Sequence, residues 1–409
     1  MSKFQDIPYK WRMFITYALV ALGSAIVTAV LLIVFGSSTV INYSSKSNNN
    51  QGIIKLQEIY DKIGENYIGK YDDATLFDAA AQALVLATGD KWSYYMNAEE
   101  YVAYKQRLNN AYEGIGVTVN SDNMAQGFLI EKVDPNGGAA AAGIQVGDRI
   151  THVEGEAVFN MSTTDAQGKI RGQGGTKVKL TINRNGTSMD VEVTRGLNTA
   201  PVASGQMLDN NVGLITITNF NERCYNETVQ AIKDLEKQGA KALIFDVRYN
   251  PGGYKSELVK LLDYLLEENL ELFRSETKDG KQEVDRSTTA QMCKLPVAVL
   301  VNKDSYSAAE FFAASLVEYK RAITVGEHTT GKGYFQVDIE LSDGSALHLS
   351  VGKFTTPKGV NLAEVGGIEP TYAVELTKDQ TTKLAAGNLA PQDDPQVQKA
   401  AEELLKMVK

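Results

Sequence analysis

The stretch Leu295–Phe335, LPVAVLVNKDSYSAAEFFAASLVEYKRAITVGEHTTGKGYF, predicts a buried strand followed by a helix. Its first part, PVAVLV, is an apolar, β-branched run, and SAAEFFAASLVEY has the spacing of an amphipathic helix. Ser307 lies at the junction, where a hydroxyl would face the open end of a sheet, beside the free N–H groups that begin a helix. This position is typical of a nucleophile.

Lys332 is a candidate base for that hydroxyl. It follows the short predicted strand AITVG, stands between Gly331 and Gly333, and begins the alternating segment YFQVDIEL, so it could face Ser307. A serine hydroxyl is a weak nucleophile at neutral pH, and a lysine can activate it only when neutral. Burial must therefore lower the pKa of Lys332 from its usual value of about 10.4.

Both residues also have simpler interpretations. Ser307 and Glu310 have the spacing of a helix capping box, in which the serine only begins a helix. Gly326, Gly331 and Lys332 match most of a phosphate-binding P-loop, but a glycine replaces the Ser or Thr that would bind magnesium. A strand pattern follows, whereas a P-loop must lead into a helix. Nucleotide binding is therefore not expected.

Three blocks of the sequence resemble those of the C-terminal processing peptidases, also called tail-specific proteases: SYSAAE, GEHTTGKGYFQ and DVRYNPGGY. Their order agrees with that family, as does the 25-residue separation of Ser307 and Lys332 (332 − 307). The resemblance, which runs from about residue 54 to about residue 375, implies a serine peptidase with Ser307 as nucleophile, Lys332 as base and Gln336 in support. Gln336 is expected on the same strand face as Lys332, where it could orient the amine. No metal or organic cofactor is implied.

Two glycines are the second part of the predicted site. Backbone N–H groups at Gly252 and Gly253, in the NPGG turn, and at Ala308 would hold the oxyanion of the reaction. An ordinary turn is the alternative interpretation of NPGG. Three residues depart from the family pattern: Tyr306 and Ala309 replace the usual residues around the serine, and Tyr249 replaces an asparagine. These changes could alter the shape of the substrate cleft.

The segment Ala111–Gly196 has the order of short strands and glycine turns that resembles a PDZ domain. Such a domain binds an extended peptide tail by strand addition, with backbone N–H groups of a glycine loop holding the terminal carboxylate. Gly114, Ile115, Gly116 and Val117 are the predicted carboxylate loop, although a simple β-turn also explains these four residues. The AGIQVGD block that follows favours the PDZ assignment.

The PDZ-like domain has two connections to the rest of the chain, so it could move as a rigid lid. In the resembled family this domain blocks or rearranges the active site until a peptide tail binds, and an arginine before a glycine-rich turn takes part in sensing. Arg171, in KIRGQGGT, is best placed to match that arginine, and a solvated surface arginine is the alternative. Protein C-terminal tails are thus expected as substrates and activators, and docking without activation stays open.

The N-terminus predicts a membrane anchor. Residues 13–35 are a 23-residue run without a charged residue, long enough to cross about 30 Å of hydrocarbon. Lys3, Lys10 and Arg12 precede the run, so the N-terminus should stay cytoplasmic and the rest should be exported. A cleaved signal peptide is the alternative, but its apolar segment would normally be shorter. The expected location is the cell membrane, with a single span and an extracytoplasmic catalytic domain.

Composition excludes several other classes. The net charge of −9 argues against a nucleic-acid partner, which needs a basic face. Three histidines in no metal-spaced pattern give no metal site. Cys224 and Cys293 allow one disulfide or two free thiols, so they do not reveal the compartment.

The predicted fold class is α/β and multidomain, with a β-rich PDZ-like domain inserted before an α/β peptidase core. In the resembled family the helical segment contributes to dimers, so a homodimer is a further expectation. The predicted order is a cytoplasmic N-terminus (1–12), a membrane helix (13–35), a linker (36–51), a helical segment without catalytic residues (52–110), the PDZ domain (111–196), the core (197–376) and a C-terminal helical segment (377–409).

Two rival functions remain at this point. A Ser–His–Asp hydrolase could use Ser307 with His328 or His348. A membrane-anchored PDZ adaptor without activity is the other rival, but it would have no need of Ser307, Lys332 and Gln336 at these separations.

Overall fold

The chain divides into two units, residues 1–73 and 74–409, and the structure, a computed structural model, describes residues 50–120 and 124–408. In the first unit, helix α1 spans Asn50–Asn66, and the Tyr60 hydroxyl donates to Asp73 Oδ1 at 3.0 Å. The predicted membrane anchor at residues 13–35 lies outside the described residues. Within the described ranges, no helix is both long enough and apolar enough to span a membrane.

The predicted helical segment is interrupted by a strand. Helix α2 spans Asp73–Leu86, strand β1 spans Tyr94–Met96, and helix α3 spans Ala98–Leu108. Strand β1 pairs in antiparallel register with residues 346–348, at the other end of the chain. Tyr95 and Met96 are buried, which explains why this short aromatic run leaves the helical pattern. The segment predicted to be helical thus contains three helices and this one short strand.

The PDZ-like domain is connected to the rest of the chain by two paired strands, which we call the neck. Strands β2 (Ala111–Gly114) and β9 (Gly196–Thr199), which carry the chain into and out of the domain, pair with each other in antiparallel register. The elements between them are β3 (Val117–Asn120), β4 (Phe128–Val133), α4 (Gly138–Ala141), β5 (Arg149–Val153), β6 (Glu156–Ala157), α5 (Thr163–Ile170), β7 (Lys177–Arg184) and β8 (Thr187–Thr194). Their sheet has the order β3-β4-β5-β7-β8, so β3 is an edge strand.

The elements of the core follow the neck along the chain. They are β10 (Ala203–Met207), β11 (Val212–Ile217), α6 (Cys224–Lys237), β12 (Ala242–Asp246), α7 (Lys255–Leu265), β13 (Glu271–Thr277), β14 (Gln282–Arg286), β15 (Val297–Val301), α8 (Ala308–Glu318), β16 (Ala322–Gly326), β17 (Tyr334–Glu340), β18 (Ala346–Thr355), α9 (Leu362–Val365), β19 (Tyr372–Ala373), α10 (Lys378–Ala385) and α11 (Pro395–Met407).

The central sheet of the core is mostly parallel. Its order is β10-β11-β12-β15-β16-β19, and only β10 runs antiparallel to its neighbour. All five residues of β15 are buried, because Val297, Val299 and Val301 pack toward α6, α7 and α8 while Ala298 and Leu300 pack toward α11. The apolar run PVAVLV is thus continuous because both faces of its strand are covered.

A second, antiparallel sheet packs beside the first and supplies the other part of the site. Its order is β1-β18-β13-β14, with β17 also paired to β18. Phe273 of β13 and Phe354 of β18 contact Phe311 of helix α8 with ring centroids 4.7 Å and 5.6 Å away. The residues after Lys332 therefore form a strand, as predicted, and not a P-loop helix. Cys224 and Cys293 are free, buried thiols.

Candidate active site

Ser307 lies in a strained turn between strand β15 and helix α8. Its backbone has φ 58° and ψ −126°, in a region that L-residues rarely adopt, at a cost of order 1–3 kcal/mol. The side chain makes no capping hydrogen bond, so the capping-box interpretation was wrong. A strained serine with a hydroxyl that is not used to cap the helix has the geometry expected of a nucleophile.

Glu310, the other residue of the supposed capping box, holds the lysine loop instead. Its carboxylate accepts backbone N–H groups of Gly331 at 2.8 Å and Lys332 at 3.0 Å, and a short hydrogen bond from the Thr329 hydroxyl. Glu310 is fully buried, and burial raises its pKa although these hydrogen bonds act in the opposite direction. This role of Glu310 was not predicted from the sequence. A lone acidic residue inside the apolar run SAAEFFAASL was the available signal, because a buried carboxylate needs partners.

Lys332 is buried in the cleft beside this turn. Only 7% of the residue is exposed, and burial lowers its pKa to about 8, although the charge of Asp90 acts to raise it. Its Nζ atom lies 4.5 Å from the ring centroid of Trp92 and 5.7 Å from that of Tyr306. Within the described residues, no hydrogen bond joins this amine to Ser307 or to Gln336. The lowered pKa meets the requirement for a lysine base, and the amine faces two aromatic rings.

Gln336 lies in strand β17, which begins at Tyr334, so Lys332 precedes this strand and does not share it as predicted. A register shift between Phe335 and Gln336, in the pairing of β17 with β18, breaks the regular pattern of faces. The Gln336 amide donates to Ser350 Oγ at 2.9 Å and to the Tyr334 carbonyl at 3.2 Å. Among the described residues, no hydrogen bond to the side-chain oxygen of Gln336 is present.

The NPGG turn lies directly against the serine turn. A Cβ on Gly252 would come within 2.7 Å of Ser307 Cβ and 2.8 Å of the Ala308 nitrogen, so only glycine fits there. The Gly252 N–H donates to Asn250 Oδ1 at 2.8 Å, whereas the N–H groups of Gly253 and Ala308 have no acceptor among the described residues. Gly253 and Ala308 are therefore free to bind an oxyanion in this arrangement, and Gly252 serves close packing.

One cleft of about 880 Å³ contains the predicted residues of both turns. It is lined by Ser307, Lys332, Gln336, Gly252, Gly253 and Ala308, and also by residues from the segment after helix α2. That segment contributes Lys91, Trp92 and Tyr94, although its sequence contains no cluster of catalytic residue types. No periodicity signals such a contribution, because the contact joins distant parts of the chain.

The two histidines considered as alternative bases lie in different surroundings. His328 is exposed and lies 3.7 Å from Glu369 rather than in the cleft. His348 lines the cleft and pairs with Asp338 at 2.6 Å, and its ring stacks on Tyr94 at 4.7 Å. Neither histidine forms a hydrogen bond with Ser307 within the described part of the chain.

The predicted carboxylate loop of the PDZ-like domain precedes its edge strand. Ile115 is buried, and the N–H groups of Ile115 and Gly116 have no backbone acceptor in the described ranges. Gly116 has a positive φ of 80°, and its surroundings leave no room for a Cβ. Val117 begins strand β3, whose outer edge is available for strand addition. This arrangement agrees with the geometry that a peptide carboxylate requires.

Arg171 ends helix α5 and contacts the neck of the domain. Its guanidinium lies 5.9 Å from the ring centroid of Tyr112, a residue of neck strand β2. A different arginine, Arg195, caps the C-terminal end of helix α5 by donating to the carbonyls of Lys169 at 2.7 Å and Ile170 at 2.9 Å. Arg171 is thus placed between the peptide-binding domain and its connection to the core.

Comparisons with known proteins agree with this architecture. The family model of Peptidase family S41 matches residues 211–374, and that of the PDZ domain matches residues 103–183. The carboxy-terminal processing protease CtpA of Bacillus subtilis is 33% identical over 361 residues, which are 88% of this chain and 77% of that protein. A CtpA-like serine protease of Staphylococcus epidermidis is 30% identical over 379 residues, which are 91% of this chain and 76% of that protein.

A solved structure shows the same fold. An S41 protease from Bacteroides fragilis superposes with a TM-score of 0.52 and 18% identity, over 84% of this chain and 92% of that chain. At this identity the likeness concerns the fold alone, and the assignment of individual residues rests on the geometry described above.

Proposed function

Because this chain belongs to peptidase family S41, the serine proteases that include the C-terminal processing proteases, we propose that it cleaves exported proteins by a Ser–Lys mechanism. The observation that carries the proposal is the meeting of a strained Ser307 and a buried Lys332 in one cleft. A lysine with a pKa of about 8 is partly neutral at physiological pH, so it can act as a base there.

The reaction follows from these groups. Neutral Lys332 takes the hydroxyl proton of Ser307, and the serine oxygen attacks the peptide carbonyl. The N–H groups of Gly253 and Ala308 stabilise the oxyanion of the tetrahedral intermediate. The intermediate collapses when Lys332 returns its proton to the leaving amine, and water then releases the acyl-enzyme by the same steps. Gln336 orients the amine once it faces the serine.

In the described arrangement Lys332 faces Trp92 and Tyr306, so its side chain must turn toward Ser307 before the first step. A lysine side chain has four rotatable bonds, which permit such a rotation. We therefore interpret this arrangement as a resting state of the enzyme.

Proteolysis by defined variants tests the mechanism. The full-length chain is incubated with an unfolded protein, and mass spectrometry compares the products of wild type with those of Ser307→Ala, Lys332→Ala and the double variant. Each single change should abolish cleavage, and the double variant should be no worse, because the two residues act as one unit. Gln336→Ala should slow the reaction more mildly, since it transfers no proton. Substantial turnover by Lys332→Ala would exclude lysine as the base.

The PDZ domain is proposed to bind C-terminal tails of proteins and to gate the active site. Two features support this: β3 is an edge strand beside a glycine loop, and Arg171 contacts Tyr112 in the neck. A tail peptide that activates the protease must bind its open state more tightly than its closed state. A hundredfold shift of the equilibrium toward the open state requires a difference of about 2.7 kcal/mol between the two binding free energies.

A separate tail peptide should stimulate cleavage of a short peptide that lacks the tail. The stimulation should weaken in Arg171→Ala and disappear when residues 111–196 are deleted. If the tail peptide only competes with the substrate, the domain is a docking site and not a gate.

The proposed location is the outer side of a cell membrane, anchored by residues 13–35, because that run is uncharged and preceded by basic residues. Membrane fractionation and the accessibility of a C-terminal tag to externally added protease test the anchor and its orientation. A proposed homodimer is tested by light scattering of the purified chain.

A further inference from the structure

Lys91 and Trp92 line the active-site cleft, and the Trp92 ring approaches Lys332 directly. The ammonium of Lys332 lies 4.5 Å from the Trp92 ring centroid, and the Tyr306 ring centroid lies 5.7 Å from both the ammonium and the Trp92 ring. The face of an aromatic ring attracts a cation, most strongly in tryptophan. These rings therefore favour the protonated amine in a place where water is largely excluded.

Asp90 adds a negative charge to the same place. Its carboxylate accepts the Trp92 N–H at 3.0 Å and the Ser93 hydroxyl at 2.5 Å. Partial burial acts to raise the pKa of Asp90, but hydrogen bonds from Ser350, Ser93 and Trp92 and the charge of Lys332 outweigh it and lower the pKa. The carboxylate is therefore ionised when it faces the lysine.

The same acid is also connected to Gln336. The Ser350 N–H donates to the Ser93 hydroxyl at 2.9 Å, and Ser350 Oγ accepts the Gln336 amide at 2.9 Å. Asp90 thus meets Lys332 through charge and Gln336 through a chain of hydrogen bonds.

We propose that Asp90 is a positioning residue of the proposed Ser–Lys site: with the Trp92 ring it holds the Lys332 ammonium in the resting cleft, and through Ser93 and Ser350 it holds Gln336. This inference rests on the proposed function. It means that the helical segment of the chain, far from the serine in sequence, determines the pH at which the base becomes available.

The sign of the effect follows from the charges around the amine. Lys91 lies over the same Trp92 ring at 4.8 Å, Glu310 accepts the Lys332 main-chain N–H, and burial raises the pKa of Tyr306, which keeps that hydroxyl neutral. None of these groups changes when Asp90 is replaced by asparagine. Loss of the anion disfavours the ammonium, so the pKa of Lys332 must fall and the neutral base must appear at lower pH.

The test compares Asp90→Asn with two control variants in the full chain. Asp90→Glu keeps the charge, and Asp78→Asn removes a different carboxylate of the region, one that accepts the Tyr95 hydroxyl at 2.5 Å. The acidic limb of the kcat/KM profile should move to lower pH by about half a unit or more in Asp90→Asn, which raises relative activity below the limb about threefold. The plateau value of kcat/KM at high pH should fall, because the hydrogen-bond chain that holds Gln336 is weakened. Both controls should leave the limb in place, and an equal movement in Asp78→Asn would overturn the proposal.

A second measurement does not depend on proteolysis. In the Ser307→Ala background, NMR titration of the Lys332 side chain should show the same downward movement in Asp90→Asn. If the NMR titration moves but the kcat/KM limb does not, the coupling of Asp90 to Lys332 stands and lysine is not the base, so the proposed function fails. If neither moves, Asp90 has no role in positioning the lysine.

If Asp90→Asn does not fold, the same coupling can be measured from the pKa of Asp90 in a variant of Lys332. Coupling between two titrating groups is mutual, so the pKa of the Asp90 carboxyl must rise when Lys332→Met removes the ammonium. A carbon-detected titration of Asp90 that is unchanged in Lys332→Met would equally overturn the proposal.

Discussion

Replacement of Lys332 by methionine should stabilise the protein at neutral pH while it abolishes activity. Burial lowers the pKa of Lys332 from 10.5 to about 8, so the folded state holds its ammonium at a cost of about 3 kcal/mol. Methionine has a similar length, carries no charge and packs well against the Trp92 and Tyr306 rings. The variant therefore avoids this cost.

The pH dependence gives the prediction its sign. Below about pH 8 the folded and the unfolded chain both carry the ammonium, and the full penalty applies to wild type. Between about pH 8 and 10.5 the unfolded chain binds more protons than the folded one, so the stability of wild type rises with pH. The advantage of Lys332→Met should thus be largest at pH 7 and should shrink as the pH rises through this window.

Urea unfolding followed by tryptophan fluorescence measures the difference. The chain has two tryptophans, Trp11 and Trp92, so a Trp11→Phe background makes Trp92 the single reporter beside the lysine. Lys353→Met is the matched control, because the Lys353 side chain is 47% exposed and its Nζ lies 3.5 Å from Glu276. That control should change stability by less than about 1 kcal/mol. The reasoning is refuted if Lys332→Met is no more stable than wild type at pH 7, or if its advantage does not change up to pH 10.

Three other substitutions test other parts of the site. Glu310→Gln places an amide group next to the backbone N–H groups of Gly331 and Lys332, which need an acceptor. The value of kcat/KM should therefore fall about tenfold or more, and the melting temperature should fall with it. Unchanged activity would show that the loop of Lys332 keeps its conformation without Glu310. His348→Ala should leave the acidic limb of the pH–rate profile near pH 8, and loss of that limb would favour a histidine base. Asp394→Asn weakens the buried ion pair of 2.8 Å between Asp394, at the start of helix α11, and Arg248, just before the NPGG turn. Limited proteolysis should then release the C-terminal helix earlier than in wild type. An unchanged cleavage pattern would show that this ion pair does not hold the helix in place.

The local elements of the site could be predicted from the sequence because each has its own pattern. The run PVAVLV is uniformly apolar since both faces of its strand are covered. The segment SAAEFFAASLVEY is helical as predicted, although it is buried on all sides from Ala308 to Leu316 and not on one face only. A serine between two such elements must lie at a turn. The PDZ-like domain was recognisable for the same reason, since short alternating strands separated by glycine turns are a local signal.

Contacts between distant segments could not be predicted in this way. Strand β1 leaves a helical segment to pair with β18, and this pairing brings Asp90 and Trp92 to Lys332. The register shift before Gln336 and the use of the Gly252 N–H by Asn250 are likewise decided by neighbours in space. Periodicity reports only which face of an element is buried.

The base Lys332 shows most clearly what is determined by the sequence and what by the tertiary structure. The sequence by itself determined which residue types are present and that a lysine paired with a serine must be neutral to act. The tertiary structure alone decided how far the pKa of Lys332 falls, because that value is a balance between exclusion of water, which lowers it, and the charge of Asp90, which raises it. Both terms depend on distances between groups that only the folded chain brings together.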